Sequence, residues 1–157
     1  MLKEIKGDVW SLLDENSAVC ILTNNTVIQN YNPMTMANYV ANIMGGGIAR
    51  EAAERNPGLK TICAQAILDG NYSLGKDNQT GAEMLRFPTK DQVQFDSDMR
   101  IIADSLIMLE KYINENPDMI IYLPRPGCGL GGLDWEDVKE LCEHYLSKFD
   151  NVYIMSK

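Results

Sequence analysis

The segment Leu123-Pro124-Arg125-Pro126-Gly127-Cys128-Gly129-Leu130-Gly131-Gly132-Leu133-Asp134-Trp135 most narrows what this chain can become, because four glycines separate an apolar strand pattern from an amphipathic helix pattern. Such a turn brings bare backbone N–H groups to the start of a helix, where amides lack intrahelical partners and the dipole favours negative charge. A phosphate group is the matching ligand. A second segment, Met44-Gly45-Gly46-Gly47-Ile48-Ala49, also opens a helical pattern, and two cradles suit a diphosphate. Glycine serves in both because a Cβ would hold the ligand off the backbone; an ordinary tight loop is the alternative reading of each.

The flanking pattern is α/β. Residues 18–23, 119–123 and 152–155 are short, nearly continuous apolar runs, the mark of strands covered on both faces. Residues 2–5 and 84–87 read as further strands, for a sheet of about five or six. Helical spacing lies between them at Ile48, Ala49, Ala52 and Ala53, at Ile102, Leu106, Leu109 and Ile113, and at Val138, Leu141, Cys142 and Tyr145. Ser97 or Asp98 is expected to cap the middle helix, Asn116-Pro117 to close it, and Asp134 to cap the last. The alternation predicts a three-layer α/β/α domain with a mixed, centrally parallel sheet and right-handed crossovers. Ligands of such sheets bind beyond the carboxyl ends of the strands, so the two glycine segments should meet there. Residues 24–43, rich in Asn and broken by Pro33, read as a surface excursion with a helical turn at 37–40, placed to select an acceptor. Residues 69–80 read as a turn-rich loop.

A length of 157 residues with 45% apolar content fits a single domain, 1–157, expected to be monomeric. The net charge of −8 excludes a protein that coats nucleic acid by neutralising phosphates. One histidine, His144, lies beside the apolar stripe of the last helix, which leaves Ser-His-Asp and Cys-His catalysis without support. Cys20, Cys63, Cys128 and Cys142 are widely spaced and read as reduced, mostly buried thiols; no metal site or cofactor is expected. The charged start of the chain and the lack of a long apolar run predict an intracellular protein with no membrane partner.

Five ordered segments together resemble a macro domain: Gly7-Asp8-Val9, Thr23-Asn24-Asn25, Met44-Gly45-Gly46-Gly47-Ile48-Ala49, Phe87-Pro88-Thr89-Lys90, and Pro124-Arg125-Pro126-Gly127-Cys128-Gly129 continued by Gly131-Gly132-Leu133-Asp134-Trp135. The resemblance covers nearly the whole chain. It is nearest to small microbial and phage macro domains with an FPTK motif, which resemble DNA ADP-ribosyl glycohydrolase antitoxins and ADP-ribose-1''-phosphate phosphatases.

The resemblance implies a pocket for ADP-ribose or an ADP-ribosylated acceptor. Asp8 matches the carboxylate that accepts from the adenine amine, and the Val9 amide the donor to a ring nitrogen; a strand-ending turn is the alternative for Gly7-Asp8. Gly45, Gly46 and Gly47, with Ile48 and Ala49, would face the distal ribose and diphosphate. Pro126, Gly127, Cys128, Gly129, Leu130 and Gly131 would close over the diphosphate. Asn24 and Asn25 would hold ribose hydroxyls or a water, or else form an Asx-turn. Lys90, the FPTK lysine, would lie near the anomeric carbon, as nucleophile or as charge stabiliser. Relatives that pair this lysine with an aspartate depart from this chain, which has Gly131 there. The activities implied are removal of ADP-ribose from an acceptor, dephosphorylation of ADP-ribose-1''-phosphate, or non-catalytic sequestration of ADP-ribose. A generic phosphate-binding α/β protein is the remaining alternative.

Overall fold

A computed structural model describes residues 2–157. Its main sheet runs β1 (Lys3–Lys6), β8 (Val152–Ser156), β7 (Ile120–Pro124), β2 (Ser17–Asn24), β6 (Glu83–Lys90) and β5 (Ser73–Lys76) in spatial order. The first five are parallel to their neighbours and β5 is antiparallel to β6, which makes the sheet mixed with a parallel centre, as expected.

Successive side chains of a strand point to opposite faces, and β2 shows both faces covered. Ala18 and Cys20 pack with Phe87, Leu123 and Ile154 under α3 (Met99–Glu115) and α4 (Trp135–Leu146). Val19 and Ile21 pack with Met84 and Met155 under α1 (Gly47–Arg55) and α2 (Leu59–Asp69). Each fully buried Leu or Ile in these layers contributes about 1.5–3 kcal/mol. Asp98 caps α3, its side chain accepting from the Arg100 N–H at 2.8 Å, and Asn116 closes the helix. Asp134 occupies the N-cap of α4 without a side-chain capping bond. His144 is exposed, and Cys20, Cys63 and Cys142 are buried free thiols. Among the described residues, no helix is long and apolar enough to cross a membrane.

Three local readings are corrected. Residues 37–40 are not a helical turn: Ala37–Ala41 is strand β4, paired antiparallel with β3 (Ile28–Asn32) as a separate hairpin. Its bend is built from an Asx-turn, the Asn32 Oδ1 accepting from the Met34 N–H at 2.9 Å, and Met36 at φ +55°. Residues 69–80 contain the edge strand β5, and α2 lies where no helix was expected.

The carboxyl end of α1 is tied to the β5–β6 connection by Asp77, which is 1% exposed. Arg55 donates to both Asp77 oxygens at 3.1 and 2.9 Å, Asn56 donates at 2.9 Å, and Thr80 donates from its N–H and hydroxyl at 3.0 and 2.7 Å. Burial pushes the Asp77 carboxyl up, but these donors outweigh it and hold it well below the usual carboxylate range. A depressed carboxylate contributes stability above its unfolded pKa of about 3.9 that is lost as pH falls below it. Asp77→Ala is expected to cost about 3 kcal/mol at pH 7 and to flatten the acid limb of a stability-versus-pH curve, read by denaturant unfolding. An unchanged acid limb would remove Asp77 from that role.

Candidate functional site

Because β1, β8, β7, β2 and β6 are parallel, the segments that leave their carboxyl ends share one edge of the sheet. In spatial order these are the turn holding Asp8, the segment 125–131, the segment leading to Gly45–Gly47, and Lys90. Four strand steps of about 4.8 Å separate the ends of this row by about 19 Å, enough for a dinucleotide-sized ligand lying across the strand ends.

At the first end, Gly7 donates its N–H to Ser156 O at 2.8 Å, and Asp8 is the N-cap of a short 3-10 turn, Val9–Ser11. One Asp8 oxygen accepts from the Trp10 N–H at 3.2 Å, while the exposed carboxylate faces an open cleft of about 590 Å³ with Trp10, Glu51, Glu54 and Arg55. Val9 is buried, and its N–H stands at the first position of the turn, where no intrahelical acceptor exists. Trp10 and Arg55 were not anticipated; the Arg55 guanidinium lies 4.2 Å from the Trp10 ring centroid, a contact that only the packing of α1 creates.

In the middle, the two glycine segments meet: a Cβ added at Gly46 would lie 3.0 Å from Leu130 Cδ1. Gly47 has φ +55°, the left-handed region that favours glycine, and the Arg50 N–H bonds Gly46 O at 3.2 Å. The amides of Gly47, Ile48 and Ala49 therefore begin α1 without intrahelical acceptors, while the side chains of Ile48 and Ala49 anchor it in the core. Gly45 is exposed beside them.

The opposing turn is organised by its carbonyls. Gly127 O accepts from Leu133 N at 2.9 Å, Gly129 O from Gly132 N at 3.4 Å and Gly131 O from Ser97 N at 3.0 Å. Among the described residues, no amide from Gly127 to Gly131 donates to another backbone group, so the turn spends its oxygens inward and keeps its N–H groups. Pro126, Gly127 and Gly131 are buried, Gly129 is exposed, and Leu130 is 86% exposed above the gap. The Cys128 thiol donates to Pro126 O at 3.2 Å, and burial pushes its pKa up, which disfavours the thiolate. Ser97, considered from sequence only as a cap, fills the inside of this turn: a Cβ on Gly127 would lie 2.9 Å from Ser97 Cβ. Trp135 packs under Arg125, whose guanidinium lies 4.8 Å from the ring centroid.

At the far end, half-buried Lys90 closes β6 opposite Asn24 of β2. Among the described residues Lys90 forms no ion pair. Asn24 forms an Asx-turn. Asn24 Oδ1 accepts from the Thr26 N–H and from Asn42 Nδ2, both at 2.9 Å, and Asn24 Nδ2 donates to Ile43 O at 2.9 Å. Asn25 Oδ1 accepts from Arg86 at 3.3 Å. The two asparagines thus brace the strand end beside Lys90. The aspartate that some relatives set against this lysine has no room here, since a Cβ on Gly131 would lie 2.1 Å from Ser97 Oγ and 2.7 Å from Gly127 O.

No protein-family model matches the chain. Two curated relatives named DNA ADP-ribosyl glycohydrolase, from Mycobacterium bovis and Mycobacterium tuberculosis, are each 34% identical over 105 residues, 62% of this chain. The match spans only 30% of the relatives' length. The solved macrodomain of Mycobacterium tuberculosis DarG superposes with TM-score 0.74 at 25% identity, covering 100% of this chain and 98% of that one. The macrodomain of Thermus aquaticus DarG gives 0.73 at 22% identity, covering 99% and 96%. Thermosipho africanus DarTG in complex with ADP-ribose gives 0.69 at 22% identity, covering 90% of this chain and 38% of that one. The layer order and these likenesses show that the chain has the macro-domain fold, similar to that of the DarG macrodomains, and the ordered motifs agree with it.

Proposed function

We propose that this domain binds ADP-ribose across the carboxyl edge of its sheet and removes it from a modified acceptor by cleaving the bond at the distal anomeric carbon. The observation that carries the reading is the meeting of two amide-bearing turns at Gly46 and Leu130, midway between the Asp8 cleft and Lys90. A diphosphate fits between the turns, adenine toward Asp8 and the distal ribose toward Lys90. In the net reaction the bond between C1'' and the acceptor breaks, water supplies hydroxide to C1'' and a proton to the acceptor, and free ADP-ribose results. Lys90 is the residue beside that carbon, as nucleophile or as charge stabiliser. The name of the mycobacterial relatives and the ligand of the Thermosipho structure support the substrate class, and the relatives' name favours DNA as acceptor.

One panel tests this: ADP-ribosylated single-stranded DNA, ADP-ribosylated protein and ADP-ribose-1''-phosphate, each with wild type and Lys90→Ala, followed by release of ADP-ribose. Release from DNA that depends on Lys90 is the expected result. Turnover of the phosphate ester alone would make the protein a phosphatase, and tight binding without turnover of any of the three would make it a reader.

The adenine assignment has its own measurement. Asp8→Ala is expected to weaken ADP-ribose binding about tenfold by calorimetry, the worth of one charge-assisted hydrogen bond. Binding of ribose 5-phosphate, which has no adenine, should be unaffected. Equal ADP-ribose affinities of mutant and wild type would remove adenine from this cleft.

A further inference from the structure

We propose that the β3–β4 hairpin is an acceptor-reading arm, whose outer face stacks on and hydrogen-bonds an unpaired nucleobase next to the modified nucleotide of a single-stranded nucleic acid. The proposal rests on the hydrolase reading above.

Placement comes first. β2 and β6 end together at Asn24 and Lys90, and the two chains continue side by side: the Asn25 N–H donates to Asp91 O at 2.8 Å, and the Val93 N–H to Thr26 Oγ1 at 2.8 Å. Asn42 returns the hairpin to the same point by donating to Thr26 O at 2.8 Å, and its own N–H donates to Lys60 O at 2.9 Å. The arm is therefore rooted within two residues of the strand end that carries Lys90, where an acceptor leaves the distal ribose.

Its chemistry is unlike the rest of the surface. Residues 24–49 contain no Asp, Glu, Lys or Arg in a chain that is 23% charged. Directly paired residues of an antiparallel ladder share a face, so the pairs Tyr31 with Asn38 and Gln29 with Val40 lie together on one side. Gln29, Tyr31 and Asn38 are all exposed there, beside the partly covered Val40; on the other side Ile28, Ala37 and Tyr39 are exposed while Asn30, Asn32 and Ala41 are more covered, and Tyr31, at 55%, is the more exposed of the two hairpin tyrosines. At the apex Met34 and Met36 are 91% and 79% exposed. An uncharged aromatic plane flanked by two carboxamides offers what a base presents: a π face to stack, and donors and acceptors along an edge. The hairpin holds no cation for phosphates, and Asp91, Asp96 and Asp98 follow Lys90, so the backbone of the strand is not what is read. Bases offer their faces only when unpaired, which selects a single strand over a duplex.

The test compares wild type, Tyr31→Ala, Tyr31→Phe and Asn38→Ala on an ADP-ribosylated single-stranded oligonucleotide, an ADP-ribosylated mononucleotide and an ADP-ribosylated peptide. Loss of one stacked base costs about tenfold in affinity, so Tyr31→Ala should raise KM for the oligonucleotide about tenfold with kcat unchanged. Tyr31→Phe should restore KM, and the mononucleotide, having no neighbouring base, should be turned over at wild-type efficiency. An unchanged oligonucleotide KM, or an equal loss on the peptide, overturns the nucleobase proposal while the hydrolase reading stands. A wild-type protein that cleaves the peptide but no oligonucleotide overturns this proposal alone, and one that binds ADP-ribose and cleaves none of the three substrates overturns the hydrolase reading with it.

Discussion

Lys90→Ala is expected to lower kcat for release of ADP-ribose from its acceptor by about a hundredfold or more, the range for removing a nucleophile or a charge aimed at the reacting atoms. The Kd for ADP-ribose should change by less than about threefold, because the diphosphate and adenine are held elsewhere. Lys90 is half-buried at the end of β6, beside the strand end that the Asn24 and Asn25 networks brace. Lys90→Arg separates its two roles. A guanidinium retains charge but is not a nucleophile, so substantial recovered activity means electrostatic stabilisation, and none means attack by the amine. Hydrolysis by Lys90→Ala at the wild-type rate would show that the reacting carbon does not lie beside this residue.

The second large effect falls on the cradle. Gly131→Ala places a methyl group 2.7 Å from Gly127 O and 2.9 Å from Gly127 Cα. The Ser97 hydroxyl can rotate away, but those backbone atoms cannot move without opening the turn. Overpacking of this kind costs about 2 kcal/mol and about 6 °C in melting temperature. Loss of the aligned amides should weaken ADP-ribose binding by more than about tenfold, measured by calorimetry on the folded variant. Gly131→Asp, which supplies the carboxylate that some relatives set against their lysine, should do the same and raise no rate. Tight binding and enhanced turnover in Gly131→Asp would mean that the turn yields more readily than its packing indicates.

The parts of the fold that were legible in the residues are those with a strong local signature. Residues 18–23 and 119–123 are nearly continuous apolar runs because both faces of β2 and β7 are covered, and the glycines of both cradles announce their turns. α2 was hidden because Asn56-Pro57-Gly58 reads as a stop and its alanines give little contrast between faces. β5 was hidden because an edge strand of four residues needs only one buried side chain, Leu74. The hairpin was misread at residues 37–40 because its outer face meets solvent and so lacks apolar alternation.

At the site, the residue types in each segment were visible, while their employment was not. Asn24 carries the right atoms for ribose hydroxyls, yet its amide is engaged by Asn42, Ile43 and Thr26, and the Asn25 Oδ1 accepts from Arg86, 61 positions away. Ser97 and Arg55 gain their places only when α3 packs under the Gly127 turn and α1 against Trp10.

By itself, the sequence determined where the core strands, three of the helices and the two bare-backbone turns would form, because periodicity, capping and the steric freedom of glycine act over a few neighbouring residues. Only the tertiary structure decided the spatial order β1, β8, β7, β2, β6, and with it the row from Asp8 through the touching turns to Lys90. That order depends on crossovers that pair strands more than a hundred residues apart, as Lys3 pairs with Tyr153, and their net burial of apolar surface is a property of the whole chain.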